Sequence, residues 1–233
     1  MIASASFTYS AQADEAALID QAVIIVCGEA SGTGFYVDAQ TIVTAKHVVE
    51  GCEQVTITSN SRATTTATVK YRDPNNDIAT LVAAKLVANV TTLSLETLTV
   101  GSRIQIVGEP INGLVLSSGT ISDIYTNDEY SFQLDVAGDH GNSGGPVFLN
   151  GKVIGLVDAK DDSGHIYGMD AQAITNTINE VTTGNSHPVV TTIISNQGPL
   201  AFSVLLNVIL FILSITLIIA RRKSKSNSIV INI

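Results

Sequence analysis

The chain of 233 residues has no tryptophan, and it has few aromatic (5%) and few charged (14%) side chains. Its only cysteines, Cys27 and Cys52, lie in no CxxC or Cys–His pattern, which argues against a cysteine-based metal site. Basic residues are scarce before the C-terminal tail, and residues 1–220 have a net charge of 8 − 21 = −13. We therefore expect no nucleic-acid partner, because phosphate backbones are bound by basic patches.

Glycine, threonine, valine and isoleucine are plentiful, and this composition favours an all-β fold. Short apolar runs, separated by Gly, Asn and Asp, predict strands at Ala22–Cys27, Gly34–Asp38, Gln54–Thr58, Ile78–Val82, Arg103–Val107, Gly113–Ile124, Ser131–Val136, Pro146–Leu149, Lys152–Ala159 and His165–Asp170. The spacing of Ala173, Ile174 and Ile178 predicts one helix over Ala171–Glu180. Many short strands with one late helix are typical of a barrel or a sandwich.

The longest apolar run covers residues 200–220, and none of its 21 residues is charged. A helix of this length crosses the ~30 Å hydrocarbon core of a bilayer, so we predict a transmembrane helix there. Arg and Lys residues follow the run directly, whereas neither type occurs from Asp161 to the end of the run. The positive-inside tendency therefore predicts a single-pass protein with a cytoplasmic basic tail at 221–233 and with residues 1–199 outside. Residues 186–199 carry no Lys, Arg, Asp or Glu and are predicted to be a linker.

The N-terminal segment does not fit this topology simply. Residues 1–26 contain three acidic residues and no basic residue, which is not the pattern of a secretory signal peptide. Either the domain is exported without a recognisable signal, or Met1 is not the original start and a longer precursor or polyprotein precedes it. The competing topology is a tail-anchored protein with its domain in the cytosol. We favour the outside location.

Three segments offer the groups that a hydroxyl nucleophile needs: a base, a carboxylate that orients the base, and donors for an oxyanion. Ser143 lies in Gly-Asn-Ser-Gly-Gly-Pro, where glycines permit a sharp turn and the amides of Gly141 and Ser143 can form an oxyanion hole. His47 follows an apolar run, and Asp77 precedes another. Taken singly, these features also fit a glycine-rich hairpin, a structural histidine and a turn-forming aspartate.

The order of these residues and their neighbours resembles the trypsin/chymotrypsin superfamily, in its HtrA-like branch without a PDZ domain. Thr-Ala-Lys-His at 44–47 is similar to the family's Thr-Ala-x-His, and Asp-Pro-Asn-Asn-Asp-Ile-Ala at 73–79 is similar to its aspartate segment. Gly-Asn-Ser-Gly-Gly-Pro-Val at 141–147 matches the serine motif, with an HtrA-like Asn. The resemblance spans roughly residues 22–180.

This resemblance implies a chymotrypsin-like fold of two β-barrels over residues 1–185, with the active site in the cleft between them. It implies a serine endopeptidase that acts on a protein or peptide substrate through an acyl-enzyme, without a metal or cofactor. Ser143 would be the nucleophile, His47 the general base and Asp77 the residue that orients His47. The amides of Gly141 and Ser143 would form the oxyanion hole.

Some positions depart from the family pattern. Asn142 replaces the Asp that pairs with a newly cleaved N-terminus in trypsin-like zymogens, which argues against that activation route. The family's Ser or Thr that bonds the catalytic Asp falls at Asp158, where either two carboxylates crowd each other or the side chain points outward; we favour the outward side chain. The resemblance places the walls of the specificity pocket near Ala137, His140, Asp158 and His165. The two histidines either favour an acidic substrate side chain or are solvent-facing loop residues.

Cys27 and Cys52 lie on either side of His47 in the sequence, and the family often has a disulfide near this histidine, at closer offsets. An outside location predicts a disulfide between them, whereas a cytosolic location predicts buried thiols.

Two other functions stay open beside a membrane-tethered endopeptidase. The first is a catalytically idle module of the same fold that binds peptides at a membrane, and the second is a viral or mobile-element protease that processes polyproteins. The sequence does not indicate the oligomeric state.

Overall fold

The computed structural model of the protein describes residues 15–85, 87–110, 113–126, 130–138 and 140–184. The predicted linker, membrane span and basic tail (residues 186–233) lie outside these ranges. Among the helices within these ranges, none has the length and apolar character that a membrane crossing requires.

The first part of the described chain forms a closed six-stranded barrel with strand order β1-β2-β3-β6-β5-β4. Its strands are β1 Ala22–Cys27, β2 Ala30–Tyr36, β3 Thr41–Ala45, β4 Gln54–Ser59, β5 Thr64–Arg72 and β6 Ile78–Ala83. Helix α1, which includes residues 15–19, precedes the barrel, and a 3-10 helix, Lys46–Val49, follows β3. Side chains alternate across each strand, so Ile25, Ile57 and Leu81 point inward and form the barrel core.

The second barrel is also closed, with strand order β10-β11-β12-β9-β8-β7. Its strands are β7 Arg103–Gly108, β8 Val115–Ile124, β9 Phe132–Asp135, β10 Pro146–Leu149, β11 Lys152–Lys160 and β12 Ile166–Asp170. Ile104, Phe132 and Ile154 are buried in its core. Helix α2, Ala171–Gly184, follows β12 directly, and the Asp170 carboxylate accepts the backbone N–H of Ala173 at 2.9 Å as a cap.

An apolar layer joins the two barrels. It includes Phe35 and Ile78 from the first barrel, Phe148 and Leu156 from the second, and Ile174 from α2. All five side chains are at most 1% exposed. Burial of each large side chain contributes about 1.5–3 kcal/mol, so this layer fixes the edges of the two barrels against each other.

The structure confirms the all-β fold with two barrels, and every predicted strand overlaps an observed strand. The sequence does not predict β3 or β5. In β5 only Ala67 and Val69 are buried, so the apolar alternation is too short to indicate a strand. Its antiparallel pairing with β4 and β6 holds it in the sheet instead. Helix α2 ends at Gly184 rather than at Glu180.

Candidate active site

His47 and Asp77 meet at one edge of the first barrel because of the way β3 and β6 pair. The strands are antiparallel with Ala45 opposite Ile78, so the residues after β3 lie beside the residues before β6. Asp77 Oδ1 accepts the backbone N–H of His47 at 3.0 Å, and Asp77 Oδ2 is hydrogen-bonded to His47 Nδ1. These two bonds to one carboxylate fix the orientation of the imidazole ring.

The surroundings of Asp77 keep its carboxyl group ionised. Burial raises the pKa of Asp77, but hydrogen bonds from His47 and Asp158 and the charge of His47 lower it by more, to about 2. The Asp77 side chain is 25% exposed, whereas that of His47 is 46% exposed. A sheltered carboxylate beside an accessible imidazole lets the ring exchange protons while its tautomer is held.

Side-chain hydrogen bonds hold the loop that carries Asp77. Lys46 Nζ donates to the backbone carbonyl oxygens of Asp73 and Asn76 at 2.8 and 2.9 Å. The buried Asp73 carboxylate accepts the backbone N–H groups of Asn75 and Asn76, and it also accepts the hydroxyl of Thr177 on α2. Burial raises the pKa of Asp73, but these hydrogen bonds lower it below its ordinary value. The loop is therefore tied to both the 3-10 helix and α2.

The turn with Ser143 precedes β10 and is held by backbone hydrogen bonds to both barrels. The Ser143 carbonyl oxygen accepts the N–H of Thr33 in β2 at 2.8 Å, and the Gly144 N–H donates to the Val157 carbonyl in β11 at 2.7 Å. Gly144 has a φ of +81°, and a Cβ there would lie 2.2 Å from the Thr33 carbonyl oxygen. This position requires glycine because the turn lies so close to β2. The next strand of that sheet, β3, leads to His47.

Gly141 lies in the same turn and is also conformationally restricted. It has a φ of +95°, and a Cβ there would lie 1.8 Å from the Glu109 carbonyl oxygen. The Gly141 carbonyl oxygen accepts the Thr33 hydroxyl at 2.7 Å and the Glu109 N–H at 3.2 Å. Asn142, between Gly141 and Ser143, is buried. The two predicted oxyanion residues thus lie in one turn that Thr33 holds from the other barrel.

The prediction that the Asp158 side chain points outward is wrong. Asp158 is 3% exposed, and its carboxyl group is hydrogen-bonded to that of Asp77. Strand β11 is buried on both faces up to Asp158 and has a bulge between Val157 and Lys160, so simple alternation does not hold there. His47, Asp77 and Asp158 each place a nitrogen or oxygen within 4.8 Å of the other two. Hydrogen bonds already link these groups, and we assign no metal to them.

The other predicted pocket residues, Ala137, His140 and His165, are exposed. The backbone N–H of His165 donates to Asp161 Oδ1 at 2.9 Å, and His165 Nδ1 is hydrogen-bonded to Asp161 Oδ2 at 3.0 Å. Desolvation raises the pKa of Asp161, but hydrogen bonds from His165 and Tyr167 lower it by more, to about 2. These contacts place His165 on the surface of the β11–β12 hairpin.

Cys27 and Cys52 form a disulfide, with their Cα atoms 6.0 Å apart. The bridge ties β1 to the segment that follows the 3-10 helix, and Val48 and Val49 anchor that helix in the barrel core. Closure of a loop across a separation of 25 residues stabilises the fold by about 3.5 kcal/mol in the chain-entropy account. The disulfide therefore supports the segment that carries His47.

Three residues near the site are not identified from the sequence: Thr33, Tyr130 and Thr177. Thr33 lies in a short Gly-Thr-Gly-Phe motif, and this weak signal could have indicated a role for it. Tyr130 lines the same cavity as His47 and Asp158, and its ring stacks on another tyrosine. For Tyr130 and Thr177 no local pattern gives a signal, because they reach the site from distant parts of the chain.

Comparison with known proteins agrees with this geometry. The model of the trypsin-like peptidase domain matches residues 32–156. Serine protease Rv3671c of Mycobacterium tuberculosis (strain H37Rv) is 31% identical over 144 residues, which cover 54% of this chain and 35% of that protein. The probable periplasmic serine endoprotease DegP-like of Halomonas elongata is 37% identical over 135 residues, which cover 54% of this chain and 28% of that protein. The chain thus spans about a third of the length of these relatives.

Solved structures share the fold. The crystal structure of the inactive form of Rv3671c protease has a TM-score of 0.65 and 22% identity, and the match covers 78% of this chain and 98% of that chain. The serine endoprotease from Yersinia pestis has a TM-score of 0.68 and 20% identity, over 74% of this chain and 66% of that chain. The family model covers more than half of the sequence and includes His47, Asp77 and Ser143. The chain therefore belongs to the trypsin-like peptidase family.

Proposed function

We propose that this domain is a serine endopeptidase that hydrolyses peptide bonds in a protein or peptide substrate, with Ser143, His47 and Asp77 as its triad. One observation carries the proposal: Asp77 binds both the backbone N–H and the Nδ1 of His47, at the barrel edge against which the Ser143 turn packs. The relatives named above are serine proteases and support the same reaction.

The hydrogen bonds of His47 support a separate role for each of its ring nitrogens. A carboxylate beside Nδ1 favours the tautomer that carries its proton there, so Nε2 holds the lone pair and acts as the base. His47 takes the proton of Ser143 as Oγ forms a bond to the substrate carbonyl carbon. It then gives this proton to the leaving amine as the C–N bond breaks. Water, activated by the same nitrogen, hydrolyses the acyl-enzyme and restores Ser143.

The remaining groups stabilise charge during these steps. With a pKa of about 2, Asp77 is ionised at neutral pH and favours the imidazolium that forms on His47. The amides of Gly141 and Ser143 are the proposed donors to the oxyanion of the tetrahedral intermediate. Thr33 supports these donors indirectly, because it binds the carbonyl oxygens of both residues.

A fluorophosphonate active-site probe tests the proposal. We expect the wild-type domain to be labelled covalently, and we expect Ser143→Ala to be folded but unlabelled. Ser118→Ala, which changes an exposed serine on β8, is the matched control and should be labelled like wild type. A folded wild-type protein that is neither labelled nor able to cleave a peptide library would identify an idle peptide-binding module instead.

We further propose that residues 200–220 anchor the domain in a membrane, with the domain outside and the basic tail in the cytoplasm. The uncharged run and the basic residues that follow it support this arrangement. The full chain should resist extraction by alkaline carbonate, and a chain that ends at residue 199 should be extracted. In sealed cells or vesicles, added protease should degrade residues 1–199 from the outside. Protection of the domain, with digestion only after lysis, would contradict the orientation.

A further inference from the structure

We propose that Asp158 is a positioning residue of the active site, which holds a proton at neutral pH and donates it in a hydrogen bond to the Asp77 carboxylate. This inference rests on the proposed function, since it concerns how Asp77 is held for catalysis. A carboxylic acid in this place can donate a hydrogen bond as a hydroxyl does, but with a group that titrates.

The position of Asp158 in β11 connects the two halves of the site. Its neighbour Val157 accepts the backbone N–H of Gly144 at 2.7 Å and donates its own N–H to the Gly145 carbonyl at 2.8 Å, so β11 holds the nucleophile turn. The Asp158 side chain extends from the same strand to Asp77 in the other barrel. A bond between these carboxyl groups therefore fixes Asp77 relative to the turn that carries Ser143.

Ionisation of both carboxyl groups is strongly disfavoured at this separation. Asp158 is 3% exposed, and its carboxyl oxygen lies within 4.8 Å of one Asp77 oxygen and one ring nitrogen of His47. A hydrogen bond between two carboxyl groups needs one proton, and like charges in a sheltered site oppose a second ionisation at neutral pH. Asp77 also binds His47 through both carboxylate oxygens and is the better anion. The shared proton therefore belongs to Asp158.

The other titratable groups of this cavity fit that assignment. The cavity beside Asp158 is lined by Lys46 and His47 from the 3-10 helix region, by Asp77 from the loop before β6, and by Tyr130. Lys46 Nζ is directed to two backbone carbonyl oxygens of the Asp77 loop, which carry no net charge. Lys46 therefore bonds the loop backbone rather than either carboxyl group, and the proton on Asp158 reduces the repulsion between the two carboxyl groups.

This arrangement predicts a characteristic dependence of activity on pH. While Asp158 holds its proton, Asp77 carries the single negative charge beside His47. When Asp158 loses the proton, two adjacent carboxylates repel each other, disturb the Asp77–His47 bond and favour the protonated imidazole. Catalytic efficiency should therefore fall on the alkaline side with a one-proton dependence.

Kinetics of Asp158 variants test the donor role. Asp158→Asn keeps the shape and a permanent N–H donor, so its kcat/KM at neutral pH should stay within about threefold of wild type. The alkaline fall in kcat/KM should be absent from this variant. Asp158→Ala removes the donor, and kcat should fall about 10- to 100-fold with little change in KM. Asp162→Asn, at an exposed aspartate of the same hairpin, should match wild type throughout.

Two results would overturn the inference. One is an equal loss of activity in Asp158→Asn and Asp158→Ala, and the other is an unchanged alkaline fall of kcat/KM in folded Asp158→Asn.

Infrared spectroscopy separates this inference from the proposed function. In a Ser143→Ala background at neutral pH, a protonated carboxylic acid should give a carbonyl band that is lost on adding Asp158→Asn and kept on adding Asp162→Asn. If the enzyme is active but the band is absent, the proposed function holds and the inference about Asp158 is wrong. If the band is present but the wild-type protein does not react with fluorophosphonate, the carboxyl pair exists and the proposed function is wrong. The pair then has no catalytic role.

Discussion

The described part of the chain contains two histidine–aspartate pairs, His47–Asp77 and His165–Asp161, with nearly the same local geometry. In each pair, one carboxylate oxygen accepts the backbone N–H of the histidine, and the other is hydrogen-bonded to Nδ1 of its ring. In each pair the hydrogen bonds outweigh desolvation and hold the pKa of the aspartate at about 2. A histidine fixed by an aspartate is therefore not, by itself, evidence of a catalytic base.

The surroundings of the two pairs differ. Asp77 has a buried second carboxyl partner in Asp158, and its barrel edge packs against the Ser143 turn. Asp161 instead accepts hydrogen bonds from Ser163 and Tyr167 within its own exposed hairpin. The first pair joins residues that lie 30 positions apart, and the second joins residues four apart. The long-range pair depends on the whole fold, whereas the short-range pair closes a turn.

Replacement of the two histidines should give the largest difference. Without its base, His47→Ala should lose at least about 10⁴-fold in kcat/KM, because Ser143 then has no group to accept its proton. His165→Ala should stay within about threefold of wild type, since an exposed turn loses only a surface contact. Steady-state hydrolysis of a fluorogenic peptide measures both values. If His165→Ala also loses most activity while it remains folded, the distinction between the pairs is wrong.

The two aspartates allow a second, isosteric comparison. Asp77→Asn should lower kcat about 10⁴-fold, because an amide at this position can donate to Nδ1 and stabilise the wrong tautomer of His47. Asp161→Asn should have little effect on kcat. Both proteins should retain their thermal unfolding transition within a few degrees, which shows that the kinetic losses do not come from unfolding. Similar kcat values for the two variants would contradict the assigned roles.

The sequence predicts the proposed catalytic pair, His47 and Asp77, through long motifs rather than through local geometry. His47 and Asp77 lie in segments that match family patterns, and the pairing of β3 with β6 then brings them together as expected. Most strands of the barrels are predictable because they are short apolar runs separated by Gly, Asn and Asp. Strands β3 and β5 are the exceptions. Strand β3 is buried along its whole length and shows no alternation, whereas the exposed threonines of β5 hide the pattern and its partners determine its structure.

The contacts of Asp158 and Thr177 cannot be predicted from sequence motifs or apolar runs. Strand β11 has no exposed face along most of its length, so the alternation of apolar and polar residues does not predict the direction of the Asp158 side chain. A bulge also shifts the pairing register just after Asp158. Thr177 reaches Asp73 across 104 positions, and no local signal marks either residue as a partner. Packing of the second barrel and α2 against the first decides both contacts.

Removal of a hydroxyl donor near each histidine–aspartate pair should give a smaller difference in activity. Thr177→Val removes the hydroxyl that Asp73 accepts and should loosen the loop that carries Asp77, with a loss of about 3- to 10-fold in kcat/KM. Tyr167→Phe removes the hydroxyl that Asp161 accepts, and it should change kcat/KM by less than about twofold. Titration of active sites distinguishes a slower enzyme from a smaller active fraction. An equal effect of both variants would show that α2 does not support the loop that carries Asp77.

The smallest expected effect is the contribution of the exposed pair to stability in acid. The pKa of Asp161 is lowered from 3.8 to about 2 in the folded protein, so its stabilisation is present above about pH 4 and is lost as the pH falls towards 2. Urea unfolding of wild type and Asp161→Asn across this window should show a difference in unfolding free energy that shrinks as the pH falls. Asp162→Asn serves as the exposed control and should show no such trend. Salt should reduce the Asp161 effect, because the pair faces solvent. A difference that is constant from about pH 2 to about pH 5 would mean that Asp161→Asn acts through the shape of the turn rather than through the charge of Asp161.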